Sequence, residues 1–204
     1  LEKFASLPAE KQTQIIDGAL LAFSVSGYKK TSVSDIAAAA GISKAMVFHY
    51  FGTKKALYLY LIEFCSGIVM DAITEKFDRD VTDFFERIQM VSMIKILAMR
   101  KHPAILSFLS SILFEKDGEV QQDIQTTLAM GEGFRNQIAL DGMDVSKFKD
   151  GVDPKLVLKI LVRYSEGFVS ELPNDAVIDP EALYKEFEEC TRLLRSNLYK
   201  EEYL

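Results

Sequence analysis

The stretch Val33-Ser-Asp-Ile-Ala-Ala-Ala-Ala-Gly-Ile-Ser-Lys-Ala-Met-Val-Phe-His-Tyr-Phe51 decides the fold. Thr31 or Ser32 starts a short helix, Val33 to Ala40, which Gly41 stops; Ser43 caps a second, Lys44 to Phe51, which Gly52 stops. Ala37 stands four residues before Gly41 and Val47 six after it. Two short helices crossing steeply impose these choices. The first needs a small residue where the backbones nearly touch. The turn needs a glycine, which takes a positive φ without a Cβ clash. Ile36, Ala40, Ile42 and Val47 are expected to fill the wedge. The pattern predicts a helix-turn-helix, whose second helix enters the DNA major groove with its N-terminal residues facing base edges.

The flanking residues fit a polyanion. Thr31, Ser32 and Ser43 are hydroxyls at helix starts, where free backbone N–H groups also favour phosphate. Lys44 and Ala45 open the second helix, His49 and Tyr50 close it, and Lys54 and Lys55 open the next. Phe48 and Phe51, by pattern alone, read as core.

Charge is uneven along the chain. The whole carries −6, yet residues 1–60 hold seven lysines against four acids, a net of +3, leaving −9 on the remainder. A basic head on an acidic body is expected if only the head meets nucleic acid.

Helical signals fill the rest of the 204 residues, and sustained period-2 alternation is missing. Pro8 opens a first helix with Ile15, Ile16, Ala19, Leu20 and Phe23 on one face, ended by Gly27. After the two short helices, Thr53 caps one from Lys54 towards Phe77. Others are expected from Val81 to Arg100, Pro103 to Phe114, Glu119 to Leu140, Pro154 to about Glu171, and Asp179-Pro180 to Leu198. That makes about nine helices in an all-α chain. The run Ile88 to Met99 is apolar nearly all round and is expected to be enclosed by neighbours. No apolar run approaches the ~18 residues that span a bilayer, and no export signal is visible. The expectation is a soluble, cytoplasmic chain with no membrane partner.

Thr31-Ser-Val-Ser-Asp-Ile-Ala-Ala-Ala-Ala-Gly-Ile-Ser-Lys-Ala-Met-Val-Phe-His-Tyr-Phe-Gly-Thr-Lys-Lys-Ala-Leu57 closely resembles the DNA-binding segment of TetR-type transcriptional regulators. Phe48-His-Tyr-Phe51 followed by Lys54 is its most specific part, and the strong match covers residues 10–60. The resemblance implies an N-terminal three-helix DNA-binding domain (residues 1–53) and a C-terminal helical ligand-binding and dimerisation domain (54–204). It also implies a homodimer whose body holds a small-molecule pocket; the expectation is binding to a palindromic operator and release by a small effector, which the Met and aromatic residues of the body make largely apolar. By position, Ser32, Ser43, Lys44, Ala45, Phe48, His49, Tyr50 and Lys54 match the family's DNA-facing residues; Thr31 and Lys55 join them on the reading above. Phe48 stands where many members carry Tyr, which removes a hydroxyl. Ala45 stands where Gly is common, which adds a methyl able to meet a thymine methyl.

In the body, Phe64, Met90, Met93, Ile94, Leu97, Phe108, Met130, Tyr164 and Phe168 are candidates for an adaptable apolar pocket. Leu158, Leu161, Phe168, Leu183, Phe187, Cys190 and Leu194 are candidates for a dimeric four-helix interface. His102 reads as a loop or cap residue. Gly131-Glu-Gly133 lacks the preceding strand of a dinucleotide site. Two cysteines and two histidines make a metal cage hard to build, no catalytic motif is present, and no cofactor is expected. The rival reading is a helical ligand carrier or protein-interaction module that does not bind DNA.

Overall fold

The computed structural model describes residues 1–170 and 179–204, and ten α-helices lie among them. They are α1 (Glu2–Ala5), α2 (Ala9–Lys30), α3 (Val33–Ala39), α4 (Lys44–Phe51) and α5 (Lys54–Lys76). The others are α6 (Phe84–Met99), α7 (Ile105–Phe114), α8 (Gln121–Leu140), α9 (Pro154–Ser170) and α10 (Pro180–Leu198). The only extended pairing among the described residues is one antiparallel bridge, Phe148 to Tyr199. The chain is all-α, as its periodicity predicts, with α1 added to the nine expected helices. The expected end of α9 at Glu171 lies outside the described residues.

Helix starts follow side-chain caps. α6 begins at Phe84 and not at Val81, because the Asp83 carboxylate accepts from Glu86 N–H at 3.0 Å. Thr53 Oγ1 accepts from Ala56 N–H at 3.0 Å at the start of α5. The α2 run breaks at Gly27, whose φ of 70° is outside the helical region.

The chain forms two compact units. One comprises Leu1–Ile68 and Met99–Leu128; the other comprises Val69–Ala98, residues 129–170 and Asp179–Leu204. In the first, α2 packs along both α3 and α7. Its centre is aromatic: Tyr58 meets Phe23 and Tyr28 at ring-centroid distances of 4.9 Å and Phe108 at 5.5 Å. Cys65 is also buried here, and burial, with a contribution from Asp17, pushes its thiol up to about 12. It therefore stays protonated and packs as a small apolar residue. His102 lies in the connection between α6 and α7, as expected, and is a buried anchor there: its Nδ1 lies 2.6 Å from Asp17 Oδ1.

In the second unit, Phe84, Phe85, Phe148 and Tyr199 pack with Leu158 and Leu161. Beside them the buried Asp83 carboxylate takes Lys147 Nζ at 2.9 Å, Tyr199 OH at 3.3 Å and Arg195 at 3.5 Å. Arg87 donates to the carbonyls of Val81 (2.6 Å) and Asp141 (2.6 Å), so a buried cation satisfies backbone oxygens between helices. A smaller cluster gathers Ile73, Ile94 and Ile138.

Two expectations are corrected. α6 is not enclosed on most sides, since Met93 and Leu97 are 40% and 45% exposed. And α5 is, by length and composition, apolar enough to cross a membrane. Leu57, Tyr58, Leu61, Ile62, Cys65 and Ile73 on α5 are buried, so packing accounts for much of that apolarity.

Candidate nucleic-acid interface

The head is built from local rules. Ser32 Oγ accepts from Asp35 N–H at 3.2 Å while the Asp35 carboxylate accepts from Ser32 N–H at 2.9 Å, a capping box at the start of α3. Those bonds from Ser32 hold the Asp35 carboxyl below its ordinary pKa. Ser43 Oγ accepts from Met46 N–H at 3.2 Å and fixes the start of α4. Between the helices Gly41 takes φ 61°, and Gln14 Nε2 on α2 donates to the Ala40 carbonyl at 3.0 Å.

The near-touching backbones belong to α2 and α3. A Cβ on Gly18 would sit 2.5 Å from Ala39 O and from Ala40 Cα and N. Ala37 is buried as its small size predicted, but the close approach is made at Gly18. The sequence signal was a glycine inside a helix, which costs about 1 kcal/mol relative to alanine and therefore asks for a packing reason.

α4 divides cleanly into two faces. Val47, Tyr50 and Phe51 are buried, while Lys44, Ala45, Phe48 and His49 are exposed, with Ser43 exposed at the cap. Positions 44, 45, 48 and 49 share one side of a 3.6-residue helix. Phe4 of α1 covers the inner face, with ring centroids 4.9 Å from Phe51 and 6.1 Å from Tyr50. This support was not read from the sequence.

Four of the expected DNA-facing residues are placed differently. Thr31 is 2% exposed, and its Oγ1 donates to Gly27 O at 2.6 Å and Ala22 O at 3.2 Å. It closes the α2 kink and is withdrawn as a phosphate donor. Tyr50 is 8% exposed, its ring packed between Phe4 and His49. Lys54 Nζ donates to the carbonyls of Tyr28 (2.9 Å) and Thr31 (3.2 Å), at the C-terminal end of α2 where a cation is favoured. Lys55 pairs with Asp123 at 2.9 Å. Phe48 departs in the opposite sense: the pattern put it in the core, and the structure leaves it 49% exposed.

The body candidates separate as well. Phe108 is fully buried in the aromatic centre, and Met93, Leu97 and Met130 are exposed. Phe64 is half-buried, stacked on Tyr60 and edge-on to His102. Met90 and Ile94 belong to the small isoleucine cluster. Tyr164 OH donates to Glu186 at 2.9 Å between α9 and α10, and Phe168 is half-buried. Among the interface candidates, Leu158 and Leu161 are buried within this chain and are withdrawn as partner contacts. Phe187, Cys190 and Leu194 are partly buried against the same core, and Leu183 is half-buried. Among the described residues, the exposed large hydrophobics of these helices are Leu156, Ile160 and Leu193. Among the described residues no group of three His, Cys, Asp or Glu could hold a metal.

Residues 15–61 match the model of the family described as bacterial regulatory proteins, tetR family. The fatty acid metabolism regulator protein of Bacillus subtilis is 25% identical over 175 residues, 85% of this chain and 89% of that protein. A TetR family transcriptional regulator from Chloroflexus aurantiacus superposes with a TM-score of 0.68 at 20% identity, over 98% of both chains. The fatty acid degradation regulator FadR from Bacillus halodurans superposes with a TM-score of 0.65 at 20% identity, over 87% of this chain and 96% of that one. These two structures share the fold, while the sequence likeness lies over residues 15–61 and, at 25% identity, along most of the chain. Residues 15–61 are thus similar to the tetR family of bacterial regulatory proteins, and the chain shares its fold with the regulators named above.

Proposed function

We propose that this chain is a ligand-responsive repressor that binds a palindromic operator as a homodimer and leaves it when a small, largely apolar effector enters its body. Residues 1–53 form the reading domain and 54–204 the ligand-binding and dimerisation domain. The observation that carries the reading is the outer row of α4, where Ser43, Lys44, Ala45, Phe48 and His49 are exposed together and contribute little to packing. Ser43 and Ser32 place backbone N–H groups of two helix starts at phosphates, Lys44 and Ala45 approach base edges, and Phe48 meets apolar thymine methyls. His49 flanks the row. A single short helix reads few base pairs. Two heads on half-sites ~34 Å apart double the contacts.

Exposed Leu156, Ile160 and Leu193 on α9 and α10 support a face for the second copy. Two relatives are named for fatty acid metabolism and degradation, which supports an apolar effector. In vitro selection of bound duplexes tests the reading. The expected product is a palindrome with half-sites one helical turn apart; selection without enrichment would sink it.

A further inference from the structure

Two basic side chains of the second unit, Lys95 on α6 and Arg135 on α8, flank the cluster that joins Ile94 and Ile138, and the Arg135 charge acts on Lys95. Neither makes an ion pair among the described residues, and Arg135 Nε is buried with no hydrogen-bond partner. Unpaired buried guanidinium N–H groups are rare, because leaving one unmade costs the desolvation of a charged donor. Lys95 is surrounded deeply enough that desolvation, with repulsion from Arg135, draws its pKa below the ordinary lysine value. Yet Lys95 and Arg135 are both only partly covered, so packing around them is incomplete.

The neighbouring apolar residues say the same. The cluster of Ile73, Ile94 and Ile138 is ringed by Val69, Ala72, Met90, Val91 and Phe134, all only partly buried. Val91 lies one helical turn from Lys95, and Ile138 about one turn from Arg135, so cations and apolar lining are contiguous. A tightly packed core would bury these side chains fully and would not carry two like charges at its edge.

We propose that Lys95 and Arg135 form the head-group site for an amphiphilic carboxylate, whose alkyl chain covers the apolar lining from Val69 to Phe134. The carboxylate supplies the acceptor that Arg135 Nε lacks and neutralises the repulsion between the two cations. This rests on the effector reading above and sharpens it: the ligand is an anion with an apolar tail.

Calorimetric titration of the full chain with sodium dodecanoate and with methyl dodecanoate tests the proposal. The expected result is about tenfold tighter binding of the carboxylate, the worth of one charge-assisted bond. Lys95→Met and Arg135→Met each abolish that preference while retaining the ester, and Lys95→Arg keeps it. In the absence of probe, Lys95→Met melts no lower than the parent, because it removes an uncompensated charge from the interior. Equal affinity for the two probes, binding of neither, or a preference surviving either methionine variant overturns the site. Duplex binding measured on the same samples without probe separates the two readings: if it persists while the carboxylate preference is missing, only the head-group site falls.

Discussion

Lys54 and Tyr28 grip each other twice: the Lys54 ammonium donates to the Tyr28 carbonyl at 2.9 Å and lies 4.2 Å from the centroid of the Tyr28 ring. The same ammonium reaches the Thr31 carbonyl, and from the other side Tyr28 N–H donates to Glu115 Oε2 at 2.6 Å. The turn that delivers Ser32 to the start of α3 is thus fastened from α5 and from the end of α7. A lysine at the beginning of α5 is unfavourable for that helix and favourable for α2, whose last carbonyls it meets.

Lys54→Ala is therefore expected to act through the turn. Stability should fall by about 1.5–3 kcal/mol, the usual worth of hydrogen bonds to a charged group. Duplex affinity should drop for all sequences. The salt dependence of binding should stay nearly constant, whereas loss of a phosphate contact flattens the slope by about one unit. Titrations at a series of salt concentrations distinguish the two.

Gly18→Ala is expected to disrupt the head although the change adds one methyl. That methyl would fall 2.5 Å from three backbone atoms of Ala39 and Ala40, which cannot rotate away as a side chain could. The cost should be at least the ~1–3 kcal/mol of overpacking. A urea midpoint equal to or above that of the parent would refute the close approach.

Asp83 gives a pH signature. Burial alone would raise its pKa; the bonds from Lys147 and Glu86 N–H and the charge of Arg195 outweigh that and lower it. A carboxyl whose folded pKa is depressed contributes stability that is present above its ordinary value and is lost as pH falls through the folded one. Asp83→Asn should cost about 1–2 kcal/mol at neutral pH, since it takes the charged acceptor from the partly exposed Lys147 and Arg195. The gap to the parent should narrow below about pH 4, near the ordinary aspartate value. Denaturation curves from neutral to strongly acidic pH would show a constant gap if the carboxylate were idle.

Ile160→Glu should separate the copies of the proposed homodimer without unfolding either, because Ile160 is exposed within the chain. Sedimentation at micromolar concentration should move from dimer to monomer while the helical signal persists. Leu161→Glu, one residue along and buried, should unfold the second unit instead. An Ile160→Glu protein that still sediments as the dimer would place the interface elsewhere.

Local punctuation was legible in the sequence. Ser43, Gly41 and Gly52 fixed α4 because caps and positive-φ turns act within a few residues, and the structure starts and ends that helix where they stand. What was illegible depends on distant partners. Thr31 at a helix start looks like a phosphate ligand until Ala22 and Gly27 are found nine and four residues behind it. Lys54 looks free until Tyr28 arrives from another helix. On α9 the periodicity found the helix but not the side that faces the chain's own core, because Leu156 and Ile160 are as apolar as Leu158 and Leu161 and only burial tells them apart.

The exposed row of α4 has an engineering consequence. Lys44, Ala45, Phe48 and His49 can be randomised together with little thermodynamic penalty, since substitutions at solvent-facing sites change stability by only about half a kcal/mol. A library at these four positions would search new target sequences on an intact scaffold, with Gly18 and Phe4 left alone to keep the helix aimed.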